Sequence, residues 1–220
     1  MTFDLTRQGD VFVLTMDAAD NRFNKDSLER INHLLDTVEG HDGPAALVTT
    51  GTGKFYSNGL DLEWIMSGEA EWDLGKLAHN LHALLARTLL FSRPTVAAIN
   101  GHCFAAGAMW SLAHDVRIMR EDRGYWSLPE ADIRIPFTPG MAALIQSKLT
   151  KQTAHLAMVT ARRFGGTEAA GRGIVDESAP EGEVLTRAIA VAQELAAKDP
   201  ATMSAIKATM YGPVEAHLSG

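Results

Sequence analysis

Three short stretches of this chain combine residue types that can act on a bound ligand: Ser57-Asn58-Gly59-Leu60-Asp61, the run from Gly101 to Gly107 (GHCFAAG), and Pro129-Glu130-Ala131-Asp132. In the second, Ala105, Ala106 and Gly107 fall where a helix is expected to begin. The first N–H groups of a helix lack intrahelical acceptors, and the helix dipole favours negative charge there. Small side chains leave those donors open. In the first stretch, Gly59 lets the backbone present a further N–H near Leu60. Two such donors aimed at one point would form an oxyanion hole, where losing one donor typically slows a reaction by about 10²–10³. Glu130 follows Pro129 and precedes the apolar Ile133 and Ile135. A carboxylate against apolar walls has a raised pKa and exchanges protons near neutrality. Each stretch also has a plainer reading. Small residues at a helix start allow close packing, Ser-Asn-Gly is a common turn, and a loop glutamate is ordinarily solvated.

Other residues carry weaker signals. His79 and His82 are three apart on an expected helix, a spacing compatible with metal binding, but no third ligand is in view and a solvated face is expected; no metal is called for. Cys103 is the single cysteine, which rules out an internal disulfide and multi-cysteine zinc sites, and we expect a buried thiol. Gly51-Thr52-Gly53-Lys54 lacks the remainder of a phosphate loop, and no G-x-S-x-G nucleophile elbow is present. Asp61 is expected to brace its own loop, and Asp132 to cap one.

The elements that would position these groups read as α/β. Phe3 and Leu5, the Gly9-Asp10 turn, and Val11 and Val13 predict a hairpin with one buried face. A helix follows from about Asp26, with Leu28, Ile31, Leu34, Leu35 and Val38 on one side. AALVTT (45–50) and TVAAIN (95–100) are apolar strands, separated by a helix near 71–91 with Leu74, Leu77, Leu81, Leu84, Leu85 and Thr88 inward. A helix over roughly 106–114, short strands at VRIMRE and GYWSL, a Pro-bounded loop, and mainly helical segments from about 139 complete the chain. A length of 220 residues with 46% hydrophobic content suits one domain with a real core. The net charge of −7 argues against a broad grip on nucleic acid or an anionic membrane. No run is long enough to span a bilayer, and the strand-like start predicts no signal peptide, so a reducing, cytoplasmic setting is expected.

GKFYSNGLDL, INGHCFAAGAMWSLAHDVRIM, GYWSLPEADIRIPFTPGM and ARRFGGTEAAGRGIVDE follow the order and spacing of the crotonase superfamily, the enoyl-CoA hydratase/isomerase group, and the likeness extends from about residue 3 to 210. SNGLDL, AHDVRIMREDRG and PEADI most resemble the Δ3,Δ2-enoyl-CoA isomerases of that group. The resemblance implies an α/β, crotonase-like spiral of ββα units forming two packed sheets. It implies a single domain over 1–220, with a spiral core to about 140 and a C-terminal helical region that assembles homotrimers or dimers of trimers. It places an oxyanion hole for an acyl-CoA thioester at the N–H groups of Leu60 and Ala106, where many relatives carry Gly at the second position. Ser57, Asn58, Gly59 and Asp61 would shape the substrate loop, with Arg22 and Lys25 bordering the CoA phosphates and Lys207 a weaker candidate against a surface role. The segment 62–66 and the helix after it would wall the acyl tail, with Trp64 and Trp126 as linings or core.

Hydratases of the group use two glutamates. The second matches Glu130; the first falls on Met109, which cannot activate water. One carboxylate with one oxyanion hole implies an isomerase of fatty-acid β-oxidation, with Glu130 moving a proton from C2 to C4. CoA is part of the substrate, and no further cofactor is implied. The alternatives are an enoyl-CoA hydratase or other crotonase-type lyase or hydrolase, and a non-catalytic acyl-CoA-binding protein.

Overall fold

The computed structural model describes residues 2–68 and 71–220. Its elements are β1 (Thr2–Gln8), β2 (Val11–Asp17), α1 (Lys25–Glu39), β3 (Ala46–Gly51), β4 (Phe55–Ser57), α2 (Leu62–Met66), α3 (Leu74–Leu89), β5 (Thr95–Ile99), β6 (His102–Phe104) and α4 (Ala106–Ala113). They continue with β7 (Val116–Arg120), β8 (Trp126–Ser127), α5 (Glu130–Ile133), α6 (Pro139–Lys148), α7 (Lys151–Thr160), α8 (Gly166–Gly171), β9 (Glu177–Ala179), α9 (Val184–Leu195) and α10 (Pro200–Ser219). A six-stranded sheet runs in the order β1-β2-β3-β5-β7-β9, antiparallel only at the opening hairpin. A three-stranded parallel sheet runs β4-β6-β8. Each repeat therefore places one strand in the large sheet, the next in the small one, and then turns into a helix: β3-β4-α2, β5-β6-α4, β7-β8-α5. This is the expected α/β spiral of ββα units.

The arrangement determines where ligand can bind. In parallel sheets, sites form outside the carboxyl ends of the strands. The small sheet's three carboxyl ends lead into Leu60, Ala106 and Glu130. Strands of two or three residues carry no readable alternation, which is why 55–57 and 102–104 read as loop. Glu130–Ile133 also read as loop and forms one helical turn.

The hairpin differs from expectation. Phe12, Leu14 and Met16 face the main core, while Val11 and Val13 face a second one with Ala46, Val48, Val96 and Ile118. The apolar side of α9, through Val184, Ala188 and Ala192, covers that second face. Strands buried on both faces lose the one-sided pattern assumed from sequence. The same C-terminal region contributes β9 to the large sheet's edge.

Lys207 also departs from the reading. It is 3% exposed, and its Nζ lies 2.7 Å from Asp115 Oδ2 and 2.9 Å from the Phe91 carbonyl. It is neither a surface charge nor a phosphate ligand; it docks α10 onto the sheet. Breaking a buried pair by removing one partner strands the other charge and costs about 3–5 kcal/mol. Asp115 keeps some exposure, so Lys207→Ala is expected to lower the unfolding free energy by about 3 kcal/mol in urea denaturation. A loss under ~1 kcal/mol would show that the pair does not hold the helix.

Candidate active site

The loop after β4 is held from one side by residues 18–24. Asn58 N–H donates to the Asp20 carbonyl (2.9 Å), Phe23 N–H to the Gly59 carbonyl (2.7 Å) and Asp61 N–H to the Phe23 carbonyl (2.9 Å). Ser57, fully buried, donates through Oγ to the Asn21 carbonyl (2.7 Å) and accepts from Gly59 N–H (3.2 Å). Every amide from Asn58 to Asp61 is thereby engaged except that of Leu60, which donates to no described acceptor. Ala106, the first residue of α4, likewise leaves its N–H without an acceptor.

The two free amides belong to loops in contact. Gly59 has φ +85°, and a Cβ there would lie 2.9 Å from Ala105 Cβ and 3.3 Å from Ala106 N. Ala105 itself sits at φ +50°, ψ −123°, a conformation costly for a residue with a side chain. Its N–H donates to the Ser127 carbonyl at 3.1 Å, which ties the start of α4 to β8. Strain held in this way fixes where the next amide points. The packing reading holds at Gly107, where a Cβ would meet Ser57 Cβ at 2.6 Å. The small-residue run thus serves packing at 107 and an open donor at 106.

A buried polar chain further joins the two loops' supports. Tyr56 OH and Thr49 Oγ1 are 2.8 Å apart, Thr49 Oγ1 and His114 Nε2 2.9 Å, and His114 Nδ1 and the Trp110 carbonyl 2.8 Å. Burial pushes His114 down to about 4, so it is neutral. A carbonyl can only accept, which puts the imidazole proton on Nδ1 and leaves Nε2 to accept from Thr49.

Glu130 is 6% exposed, and its Oε2 is buried without a hydrogen-bond partner. Burial raises its pKa to about 7. The expectation of a proton-exchanging carboxyl therefore prevails over that of a solvated loop acid. Glu130, Leu60, Ala106, Met109 and Asn58 all line one cavity of about 510 Å³. Leu62, Leu74, Ala78 and Leu81 form one wall, as read from sequence, although Leu74 is 44% exposed at the start of α3 rather than in its core stripe. Ile133 and Ile135, the apolar neighbours expected beside Glu130, line the cavity as well, whereas Pro136 and Met141 were not singled out from sequence. The Pro-bounded apolar run after Glu130 was the available signal.

Other predicted residues stand aside from the cavity. Ser57 and Gly59 shape the loop from behind. Asp61 caps α2 by accepting from Trp64 N–H at 3.2 Å. Arg22 pairs with Glu63 (2.8 Å) and Asp20 (3.1 Å), and Lys25 with Glu71 (3.1 Å) and Glu29 (3.5 Å). Trp126 is core and donates to Ser111 Oγ at 3.1 Å; Trp64 packs partly buried against the core. His82 is not on a solvated face: it is partly buried, and its Nε2 lies 2.9 Å from Thr138 Oγ1.

The enoyl-CoA hydratase/isomerase family model matches residues 6–219. The chain belongs to the enoyl-CoA hydratase/isomerase family. This family member is 34% identical to enoyl-CoA delta isomerase 3 of Arabidopsis thaliana over 201 residues, covering 88% of this chain and 84% of that one. It is 33% identical to the peroxisomal enoyl-CoA delta isomerase 2 of the same plant, over 88% and 85%. Its fold matches the crystal structure of a probable enoyl-CoA hydratase from Mycobacterium tuberculosis with a TM-score of 0.90 at 25% identity, over 98% of this chain and 91% of that one. The crotonase-type α/β fold is thus shared, and the chain is an enzyme of the enoyl-CoA isomerase/hydratase kind. No helix among the described residues is long and apolar enough to cross a membrane.

Proposed function

We propose that this enzyme is a Δ3,Δ2-enoyl-CoA isomerase acting by a 1,3-proton transfer. One observation carries the reading: among the described residues, Glu130 is the only ionisable side chain lining a cavity that Leu60 and Ala106, whose N–H groups have no described acceptor, also line. A hydratase must activate water and handle the C2 proton; Met109, which falls at the second-acid position by the family resemblance, lines the cavity and cannot do so. An isomerase needs one base.

Glu130 as carboxylate takes a proton from C2 of the 3-enoyl thioester. The C–H pair delocalises through the C3 double bond and the carbonyl, so negative charge collects on the thioester oxygen. The N–H groups of Leu60 and Ala106 hold that oxygen. The same carboxyl then returns the proton to C4, the carbonyl re-forms, and the double bond lies between C2 and C3. Apolar walls keep water from the intermediate and strengthen the amide contacts by lowering the local dielectric. Nothing beyond substrate is consumed, so the reaction requires no cofactor. In the same reading, Ile206 and Met210, 50% and 60% exposed on α10, support assembly as a homotrimer or dimer of trimers through the C-terminal helices of a single-domain, cytoplasmic protein.

The test is a paired assay: cis- and trans-3-enoyl-CoA followed by appearance of the conjugated product, beside hydration of crotonyl-CoA. Isomerisation is expected to exceed hydration by at least about 10²-fold, the scale of one missing proton-transfer group. Met109→Ala should retain most isomerase activity. Hydration that matched isomerisation would reject the assignment.

A further inference from the structure

Hydrophobic burial brings α4 into the core but does not aim it. Every residue from Ala106 to Ala113 is buried, so no solvent-facing side dictates how the helix turns about its axis. The attraction of apolar surface is non-directional, which leaves rotation and tilt to hydrogen bonds. Ala105 N–H, on the Ser127 carbonyl at 3.1 Å, fixes where the helix starts. That fixes one point, and an axis needs a second. Three side-chain ties hold the rest of the helix. Trp110 Nε1 donates to Thr88 Oγ1 on α3 (2.9 Å), and Ser111 Oγ accepts from Trp126 Nε1 on β8 (3.1 Å). The third is the chain from His114 through Thr49 to Tyr56.

This third tie differs from the other two because it reaches the strand that leads to the second amide. Tyr56 lies on β4, shortly before Leu60; Thr49 lies on β3, and His114 directly follows α4. The protons of the chain all run one way. His114 Nδ1–H donates to the Trp110 carbonyl, one of the last four of α4, which lack intrahelical donors. The Thr49 hydroxyl spends its proton on His114 Nε2, so it can only accept from Tyr56 O–H. Donors arranged in one direction reinforce one another. All three side chains are fully buried, and removing one leaves its neighbours' polar atoms unpaired. The Trp110 ring packs against the chain, 5.2 Å from His114 and 6.0 Å from Tyr56 between centroids. The end of α4 is thereby fastened to both strands.

We infer that Tyr56, Thr49 and His114 are positioning residues for the reaction: their chain sets the axis of α4 against β4 and so keeps the Ala106 and Leu60 N–H groups aimed at one oxygen. The inference rests on the oxyanion reading above and deepens it. None of the three lines the cavity, so they act only through the backbone they hold. The lever is long enough to matter. At about 1.5 Å per residue α4 is about 12 Å long, so a tilt of about 5° moves one end against the other by about 1 Å. Working N–H···O distances span only about 0.5 Å, and a misplacement of about 1 Å can slow a reaction about 10²-fold.

Thr49→Val tests this, because it keeps the side chain's shape and removes the central hydroxyl. Its kcat for 3-enoyl-CoA should fall about 10-fold, an order less than outright loss of an oxyanion donor, with KM moved by about twofold at most. Thr49→Ser should restore kcat. Thr50→Val removes the next hydroxyl along β3, which donates to the Ala98 carbonyl at 3.0 Å, and should turn over as wild type. A Thr49→Val enzyme that lost stability but matched Thr50→Val in kcat would overturn the inference. The infrared carbonyl stretch of bound, carbonyl-labelled octanoyl-CoA reads the same device without turnover. Wild type should lower that stretch relative to free thioester, and Thr49→Val should lose most of the lowering. A lowering retained in full would overturn the inference and leave the enoyl-CoA reading standing. No lowering in wild type would overturn the assignment of the two amides, and the inference with it. If Thr49→Val does not fold, Tyr56→Phe decides, since it removes the first donor and spares the Thr49–His114 bond. Its kcat should fall about 3-fold, the scale of one modest hydrogen bond, with part of the lowering lost. Wild-type values for both would overturn the inference.

Discussion

Glu130→Gln is expected to lower kcat for 3-enoyl-CoA isomerisation by about 10²–10⁴, the range for a positioned proton-transfer group. KM should change little, because the amide keeps the side chain's shape and the apolar walls remain. The wild-type pH profile follows from the same group. Glu130 acts as a base and must be ionised, so kcat/KM should rise with pH through about 7 and then level off. The fold bears the opposite dependence. With a folded pKa of about 7 against a model-peptide value of 4.5, the native state binds the proton more tightly than the unfolded chain. This group's contribution is therefore most favourable below 4.5, declines as pH rises from 4.5 to about 7, and is flat above. At 1.36 kcal/mol per unit, ionising Glu130 costs the fold up to about 3 kcal/mol at pH 8. Glu130→Gln should thus be inactive yet more stable than wild type at pH 8, and level with it near pH 4.5. Undiminished turnover, or a variant no harder to unfold at pH 8, would remove Glu130 from its role.

Gly59→Ala should reduce kcat by roughly 10²–10³, as loss of one oxyanion donor does. The added methyl would enter at 2.9 Å from Ala105 Cβ and 3.3 Å from Ala106 N, and at φ +85° the backbone cannot turn it aside without moving the loop. Relief requires separating the β4 loop from the start of α4, which parts the two amides. The positive φ adds a stability cost of about 1–2 kcal/mol. The decisive readout is the split between constants: kcat should collapse while KM moves by only a few-fold, because the acyl walls on α3 and α6 are untouched. A variant that lost stability but kept kcat would show that the two loops do not cooperate on one oxygen.

The parts of the molecule legible in sequence were those written in local patterns. Leu28, Ile31, Leu34, Leu35 and Val38 marked α1 by helical spacing, and all are buried. The hairpin, β3, β5 and α4 were similarly announced by turns and apolar runs. The two glycine loops and the Pro-Glu loop advertised small residues and an acid near apolar neighbours, which left plain turn and packing readings open; resemblance to the crotonase superfamily then pointed to Leu60, Ala106 and Glu130.

Long-range pairing decided the rest. The strands at 55–57 and 102–104 exist because three repeats stack in parallel, and three residues contain too little periodicity to reveal it; only the strand at 126–127 lay within a segment, GYWSL, read as one. The partners of a charge were equally illegible: Lys207 is a buried tether, and Arg22 and Lys25 pair with nearby acids. Composition records that these cations exist, but which carboxylate reaches which cation is settled by segments far apart in the chain. The sequence alone announced the α/β order of elements, and its resemblance to the crotonase superfamily supplied the expected spiral and the expected roles of Leu60, Ala106 and Glu130. Only the tertiary structure decided that Glu130, Leu60 and Ala106 line one cavity, because their convergence depends on contacts between residues more than twenty positions apart.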